Sequence, residues 1–354
     1  MKTLLFTIEY PPFKGGVANY YGNLVDHWPE KDNIFVLNNN DNKLVKKWSF
    51  PKWLPACSAL RKEIKKHKID HIIVGHILPL GTIAYRFSLF RKTTYSVILH
   101  GMDFEYSQKS WRKRFLSKLI LKNAKSIICV NSYTAYLVKK AVNNHEKIIV
   151  ANPGAVKQPA NTLAIKNIKE KYDLDNKITM LSVGRLVKRK GHDQIIKVMP
   201  EALKSVPGLH YYIAGDGPDR LYLENLAKDK QNITFLGKIS DEDKLAWMES
   251  CDFFAMPSRN IDGDFEGFGI VYMEAAMAGK AVLAGESGGV KDAVQGGVTG
   301  ILVDPQNSER IVNAIIKLAK EPETRNTLGK NALARAEKDF NWSDKIKKIY
   351  NAIN

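Results

Sequence analysis

Cysteine is scarce in this 354-residue sequence, with three residues, Cys57, Cys129 and Cys251, odd in number and far apart. That excludes a disulfide framework and a paired-cysteine zinc site, and it predicts small packing thiols in a reducing compartment. Long hydrophobic runs are missing too. Nowhere do about 18 apolar residues follow one another, so no bilayer-spanning helix is expected, and Thr3 to Ile8 is too short for a signal-peptide core. A Gly-x-Gly-x-x-Gly after the first apolar run is absent, which argues against a nicotinamide-dependent oxidoreductase. Acidic side chains are sparse in one half only. Residues 1–160 hold 10 Asp and Glu against 26 Lys and Arg, while the remainder holds 27 against 28, so the halves carry +16 and +1. Such an imbalance predicts that the first half faces something anionic: nucleic acid, acidic lipid or a phosphorylated substrate.

What is present is an ordinary globular composition, 44% hydrophobic and 26% charged, at a length suited to about two domains. Short β-branched runs alternate with stretches of helical period, the pattern of parallel sheets wrapped by helices. Strands are expected at Thr3 to Ile8, Ile34 to Leu37, His71 to Val74, Tyr95 to Leu99, Ser126 to Val130 and Lys147 to Val150. After the loop Asn152 to Thr162 the pattern restarts at Thr179 to Val183, His210 to Ala214, Ile233 to Leu236, Phe253 to Met256, Ala281 to Ala284 and Gly300 to Val303. The fold class is therefore α/β, two doubly wound domains whose ligands bind beyond the carboxyl ends of the strands.

Four strand-end loops contain residues that a plain fold does not require. Pro11-Pro12-Phe13-Lys14-Gly15-Gly16-Val17 places paired glycines before a helix, either as a tight turn or to let backbone N–H groups approach a phosphate. His100-Gly101-Met102-Asp103 puts a histidine at a strand end, a packing residue or a ligand contact. Gly184 to Gly191 holds Arg185, Lys188, Arg189 and Lys190 directly before a helix; such cations oppose the helix dipole unless an anion binds there, the alternative being a solvated basic loop. Most specific is Phe265-Glu266-Gly267-Phe268-Gly269, followed by Glu274 eight residues after Glu266, in the helix the loop opens. One carboxylate can face a reacting sugar, while Glu274, expected to be buried among alanines, needs a hydroxyl partner such as a ribose.

In chain order, Gly-Gly-Val, His-Gly-x-Asp, Gly-Arg-Leu-x-x-x-Lys-Gly, Gly215-Asp216-Gly217-Pro218 and the spaced glutamates resemble the retaining glycosyltransferases of family 4, which have the GT-B fold of two Rossmann-like domains facing across a cleft. The resemblance covers essentially the whole chain. It implies an acceptor-binding domain over 1–155, a nucleotide-sugar domain over 156–337, and a segment 338–354 whose helix crosses back to the first domain. It further implies that Arg185 and Lys190 hold the diphosphate with a Gly16 amide, and that Glu274 binds the ribose. Glu266 and the amides of Gly267, Phe268 and Gly269 would grip the donor sugar, with His100 beside its 6-hydroxyl. The family's retention of configuration is explained by front-face attack, so Glu266 is not expected to be a covalent nucleophile, and no metal or other cofactor is expected despite Asp262 and Asp264. Phe254 to Arg259 and Glu266 to Tyr272 resemble mannosyltransferases acting on phosphatidylinositol-type lipids, so GDP-mannose is expected ahead of UDP-sugars, with a lipid-linked or oligosaccharide acceptor. Glycogen or starch synthesis gives no reason for a +16 half, and no nucleic-acid motif accompanies the charge, so no nucleic-acid partner is expected.

The basic half instead predicts a cytoplasmic protein lying peripherally on an anionic membrane surface, the inner face of the cell membrane. Ser107 to Lys125 is expected to be the docking helix, with Trp111, Phe115, Leu116, Leu119 and Ile120 on one side and Arg114, Lys118, Lys122 and Lys125 as a stripe on another. Lys46, Lys47, Trp48, Lys52 and Trp53, with Arg61, Lys62, Lys65 and Lys66, extend the same face.

Overall fold

A computed structural model describes residues 1–13, 15–45, 53–90, 92–143 and 145–354. Lys14 of the Gly-Gly loop, and Lys46, Lys47, Trp48 and Lys52 of the expected basic face, lie outside the described residues. The chain divides into two compact units: Met1–Gly154 together with Trp342–Asn354, and Ala155–Asn341.

Unit 1 is built on β1 (Thr3–Phe6), β2 (Ile34–Leu37), β3 (His71–Val74), β4 (Thr94–Leu99), β5 (Ile127–Cys129) and β6 (Ile148–Val150). All pair in parallel, in the order β2-β1-β3-β4-β5-β6. The period of two along each strand sends alternate side chains to opposite faces. Leu4, Phe6, Ile72, Val74, Val97 and Leu99 join one core, whereas Leu5, Ile73, Ile98 and Ile128 join another on the reverse face. That second core is covered by helix Trp342–Ile353, whose Trp342, Ile346, Ile349 and Ile353 recur at helical spacing and are all buried. The Trp342 ring meets the edge of Tyr20 at 5.6 Å and stacks on His27 at 6.4 Å. Lys125 Nζ donates to the Ile353 carbonyl at 2.6 Å and Ser126 Oγ to that of Ala352 at 2.6 Å, satisfying orphan carbonyls of the last turn.

Unit 2 repeats the scheme with β7 (Ile178–Val183), β8 (Leu209–Ala214), β9 (Ile233–Gly237), β10 (Phe253–Met256), β11 (Ala281–Gly285) and β12 (Gly300–Val303), ordered β12-β11-β10-β7-β8-β9. Met180, Tyr211, Ile213, Phe253, Ala255 and Leu283 face one core, and Leu181, Tyr212, Phe254, Met256 and Val282 the other. Each fully buried large side chain contributes about 1.5–3 kcal/mol, which is why both faces must be covered. The strand order reverses between β1 and β3 in unit 1 and between β7 and β10 in unit 2. At such switch points neighbouring strand-end loops part and leave a crevice for ligands.

Candidate functional site

The switch point of unit 2 lies between the loops that follow β7 and β10, and these are the loops that carry the basic run and the glycine-rich glutamate. After β7 the chain passes exposed Arg185, then turns through a short 3-10 helix, Lys188–Lys190, into helix His192–Ser205. Gly191 makes that entry possible: its φ is +76°, and a Cβ there would run into the Pro257 carbonyl oxygen. The Arg259 amide donates to the Arg189 carbonyl at 2.8 Å. Arg259 Nη2 also donates to both oxygens of buried Asp193, at 2.9 and 3.0 Å, tying the loop after β10 to the first turn of the helix.

Glu266 is the centre of this site. It is buried, and Lys190 Nζ and Arg189 Nη1 both reach the same oxygen, Oε2, at 2.6 Å. Burial alone raises its carboxyl, but the Lys190 ammonium and the Arg189 guanidinium outweigh that and hold it below the ordinary carboxylate value. Oε1 has no hydrogen-bond partner among the described residues and is not a buried atom, so it keeps contact with solvent. Arg189 Nε also pairs with Asp264 Oδ1 at 3.0 Å, which engages one of the two aspartates of Asp262-Gly263-Asp264. Among the described residues no group of three or more His, Cys, Asp and Glu side chains is placed to hold a metal ion.

Gly267, Phe268 and Gly269 lead into helix Ile270–Met277, whose first turn has no acidic residue and no side-chain cap. The Tyr272 N–H donates to the Gly269 carbonyl at 2.9 Å, which leaves the Ile270 and Val271 N–H groups for polar oxygens. Gly269 sits at φ +79°, where a Cβ would also strike the Tyr272 ring, while Phe268 is buried against Phe340, ring centres 5.8 Å apart. Glu274 departs from expectation. It is only half-buried, and its partner is a cation: Lys244 Nζ lies 2.7 Å from Oε1. Arg185, by contrast, is exposed and makes no ion pair among the described residues. The structure thus gathers Lys190 and Glu266, with Arg185, Glu274 and the 267–269 amides on the same unit.

Gly16 and His100 belong to unit 1. Gly16 is exposed and opens helix Gly16–Asp26, which has no side-chain cap and no acidic residue in its first turn. His100 follows β4 and sits against Tyr20 and Tyr21, edge-on at 5.4 and 5.3 Å. Its Nε2 is 2.9 Å from Tyr21 Oη, which leaves Nδ1 without a partner among the described residues. Burial, with the His76 charge adding to it, pushes the imidazole down to about 3, so the ring is neutral near pH 7. Asp103 Oδ1 accepts from the His100 and Gly101 amides at 3.0 Å each and fixes the turn.

Two further sequence expectations need correction. The cations before helix His192–Ser205 are balanced in part by the protein's own Glu266 and Asp264, so a bound anion is not the whole answer to their clustering. The single helix Ser107 to Lys125 is two, Met102–Gln108 and Trp111–Asn123, separated at Ser110, whose hydroxyl caps the second. Ile120 is buried and Leu116 half-buried against the sheet, while Trp111 and Phe115 are 72% and 65% exposed, on the same side as Arg112, Arg114, Lys118 and Lys122. Lys125 lies beyond the helix and binds the Ile353 carbonyl instead. Sequence reasoning also missed Arg189 and Lys244 as partners of the two glutamates. Arg189 was visible only as one cation in a run, and nothing near Lys244 in the sequence distinguishes it.

Comparison with known proteins bears on the family and the fold. Residues 14–156 match the family described as Glycosyltransferase Family 4, and residues 164–335 match Glycosyl transferases group 1. The chain is 28% identical to the GDP-mannose-dependent monoacylated alpha-(1-6)-phosphatidylinositol monomannoside mannosyltransferase of Corynebacterium glutamicum, over 99% of this chain and 97% of that one. It is also 28% identical to the GDP-mannose-dependent alpha-(1-6)-phosphatidylinositol monomannoside mannosyltransferase of Mycobacterium tuberculosis, over 90% and 89%. Among solved structures, Anabaena HepE in complex with UDP superposes with a TM-score of 0.83 at 20% identity, over 100% of this chain and 99% of that one. Sucrose-phosphate synthase from Thermosynechococcus elongatus gives 0.81 at 20%, over 100% and 98%. With two parallel six-stranded sheets and both family matches in sequence order, the chain belongs to the family 4 glycosyltransferases of GT-B fold.

Proposed function

We propose that this glycosyltransferase is a retaining, metal-independent hexosyltransferase that moves mannose from GDP-mannose to a lipid-linked or glycan acceptor at an anionic membrane surface. The observation that carries the reading is the division of labour at Glu266: Oε2 is neutralised by two cations, and Oε1 is free to accept from a sugar hydroxyl. A carboxylate clamped in this way is a poor nucleophile, which favours the front-face route over a covalent glycosyl-enzyme.

Lys190 uses one of its three N–H donors on Glu266 and keeps two for the leaving diphosphate. Arg185, unpaired, supplies the second cation, and charge that grows on the leaving group is met by groups already in place. Glu274 keeps Oε2 for the ribose while Lys244 holds Oε1. His100, neutral, offers Nδ1 to the sugar as a hydrogen-bonding partner and not as an acid. Gly16 contributes an amide at a helix N-terminus. Since Asp264 is engaged by Arg189, the cations take the role a metal would otherwise fill.

The mannosyl donor is supported by the names of the relatives at 28% identity. Surface docking is supported by Trp111 and Phe115 exposed among Arg112, Arg114, Lys118 and Lys122, each cation near an acidic leaflet contributing about 1 kcal/mol. Among the described residues no helix is long and apolar enough to cross a membrane.

A donor panel tests the proposal. GDP-mannose should raise the melting temperature and be hydrolysed faster than UDP-glucose or UDP-N-acetylglucosamine; a larger effect with either UDP-sugar overturns the mannosyl assignment and leaves the glycosyltransferase. Sedimentation with liposomes tests the surface, since binding no stronger to acidic than to neutral vesicles would exclude it.

A further inference from the structure

Unit 1 contains a cavity that the chemistry above leaves unused. It has a volume of about 470 Å³, within the ~300–1,000 Å³ range of small-molecule sites. Its walls come from helices Leu54–His67 and Thr82–Phe90 and the residue before the first: Trp53, Leu54, Cys57, Ile83, Phe87 and Phe90. Leu54 and Phe90 are 52% and 79% exposed, an apolar lining left open to water.

Apart from the Thr82 hydroxyl, the polar side chains of the lining are two arginines, Arg61 and Arg86. Both are exposed, which puts them at the mouth, and neither has a carboxylate partner among the described residues. Arg86 lies near enough to the Cys57 thiol to act on it electrostatically. A peptide entering this cavity would bring backbone N–H and C=O groups that the walls cannot satisfy. An unbranched hydrocarbon brings none, and a phosphate at its end matches the guanidinium forks.

We infer that this cavity takes one acyl chain of an acidic phospholipid, with the lipid phosphate held by Arg61 and Arg86. The inference deepens the membrane part of the proposed function and rests on it. Chain capture gives the surface a fixed point of attachment, where a basic stripe alone would slide.

Cys57 provides the readout. Cys129 and Cys251 are fully buried, so Cys57 is the thiol open to alkylation by N-ethylmaleimide. Monomeric lysophosphatidylglycerol should slow alkylation roughly tenfold or more, and lysophosphatidylcholine of the same chain length about twofold at most. Arg61→Ser with Arg86→Ser, at exposed positions, should abolish the difference. Equal protection by both lipids, no protection by either, or protection that survives the double substitution overturns the inference. Sedimentation with phosphatidylglycerol vesicles separates it from the membrane reading. Vesicle binding with Cys57 unprotected overturns the cavity and leaves surface docking; protection by the lysolipid without vesicle binding supports the cavity and overturns surface docking.

Discussion

Replacing Glu266 by glutamine removes one negative charge from the point where two cations converge on a single oxygen. Lys190, Arg189 and Glu266 side chains are 10%, 19% and 9% exposed, so solvent does little to screen the loss. Removing one member of a buried ion pair costs about 3–5 kcal/mol, because the charge left behind has no compensation. Glutamine keeps one oxygen acceptor, and Arg189 keeps Asp264 as a second partner, which puts the expected loss near the lower end, about 3 kcal/mol. At roughly 2–4 °C per kcal/mol for a unit of this size, the melting midpoint of unit 2 should fall by about 6–12 °C. Scanning calorimetry with and without inorganic pyrophosphate checks the cause as well as the size. The variant is left with uncompensated positive charge, so pyrophosphate should stabilise Glu266→Gln more than the native protein, while turnover falls and nucleoside diphosphate affinity does not drop. A midpoint lowered by less than about 2 °C, or equal stabilisation of both proteins by pyrophosphate, would refute the reasoning.

Arg185→Ala should leave the melting midpoint unchanged and cost about 2–4 kcal/mol in the transition state, roughly 1.5 to 3 decades in turnover; near-native turnover in a rate assay would remove it from the diphosphate clamp. Lys190→Ala should lose turnover on the same scale but also melt earlier, since it strands Glu266 with one cation fewer, and the two variants are told apart by calorimetry. Glu274→Gln should weaken nucleoside diphosphate binding in titration calorimetry more than Glu266→Gln does, and equal losses would reject their separate roles. His71, His100 and His192 are each pushed down to about 3 by burial, so the unfolded chain binds protons first. Their contribution is complete above about pH 6.5 and is lost as pH falls from there toward 3, which denaturant midpoints followed from about pH 7 to pH 4 should show as a steady decline. Trp342→Ala opens a hole between Tyr20 and Gly154 and should destabilise unit 1 by about 3–5 kcal/mol, with the unit 2 transition unmoved in the same scan.

The strands were legible because buried parallel strands are short β-branched runs, and the expected and observed ranges differ only at their ends. Thr3 to Ile8 ends as a strand at Phe6, although the Thr7 amide still donates to the Leu37 carbonyl at 3.0 Å. The Glu266 loop was legible because glycines mark its turns. Its wiring was not, because Arg189 lies 77 residues away in sequence and meets Glu266 only through the β7–β10 switch. Glu274 was misjudged because alanine neighbours suggest burial, whereas its side chain leans toward helix Asp241–Ser250 and Lys244. Trp111 and Phe115 were grouped with Ile120 because helical period alone does not say which arc faces the sheet; the sheet took Leu116, Ile120 and Leu121.

The division of the chain sets an order of assembly during synthesis. Unit 2 is one continuous stretch, but unit 1 needs both the first 154 residues and the helix from Trp342 to Ile353. While the ribosome is still making the intervening residues, the core around Leu5, Tyr20, Trp28 and Ile73 lacks the cover that Trp342, Ile346, Ile349 and Ile353 give it. Domains usually close from the N-terminus as they emerge. Here the later unit can finish first, and the earlier one stays open, exposed to chaperones and proteases, until that helix has left the exit tunnel.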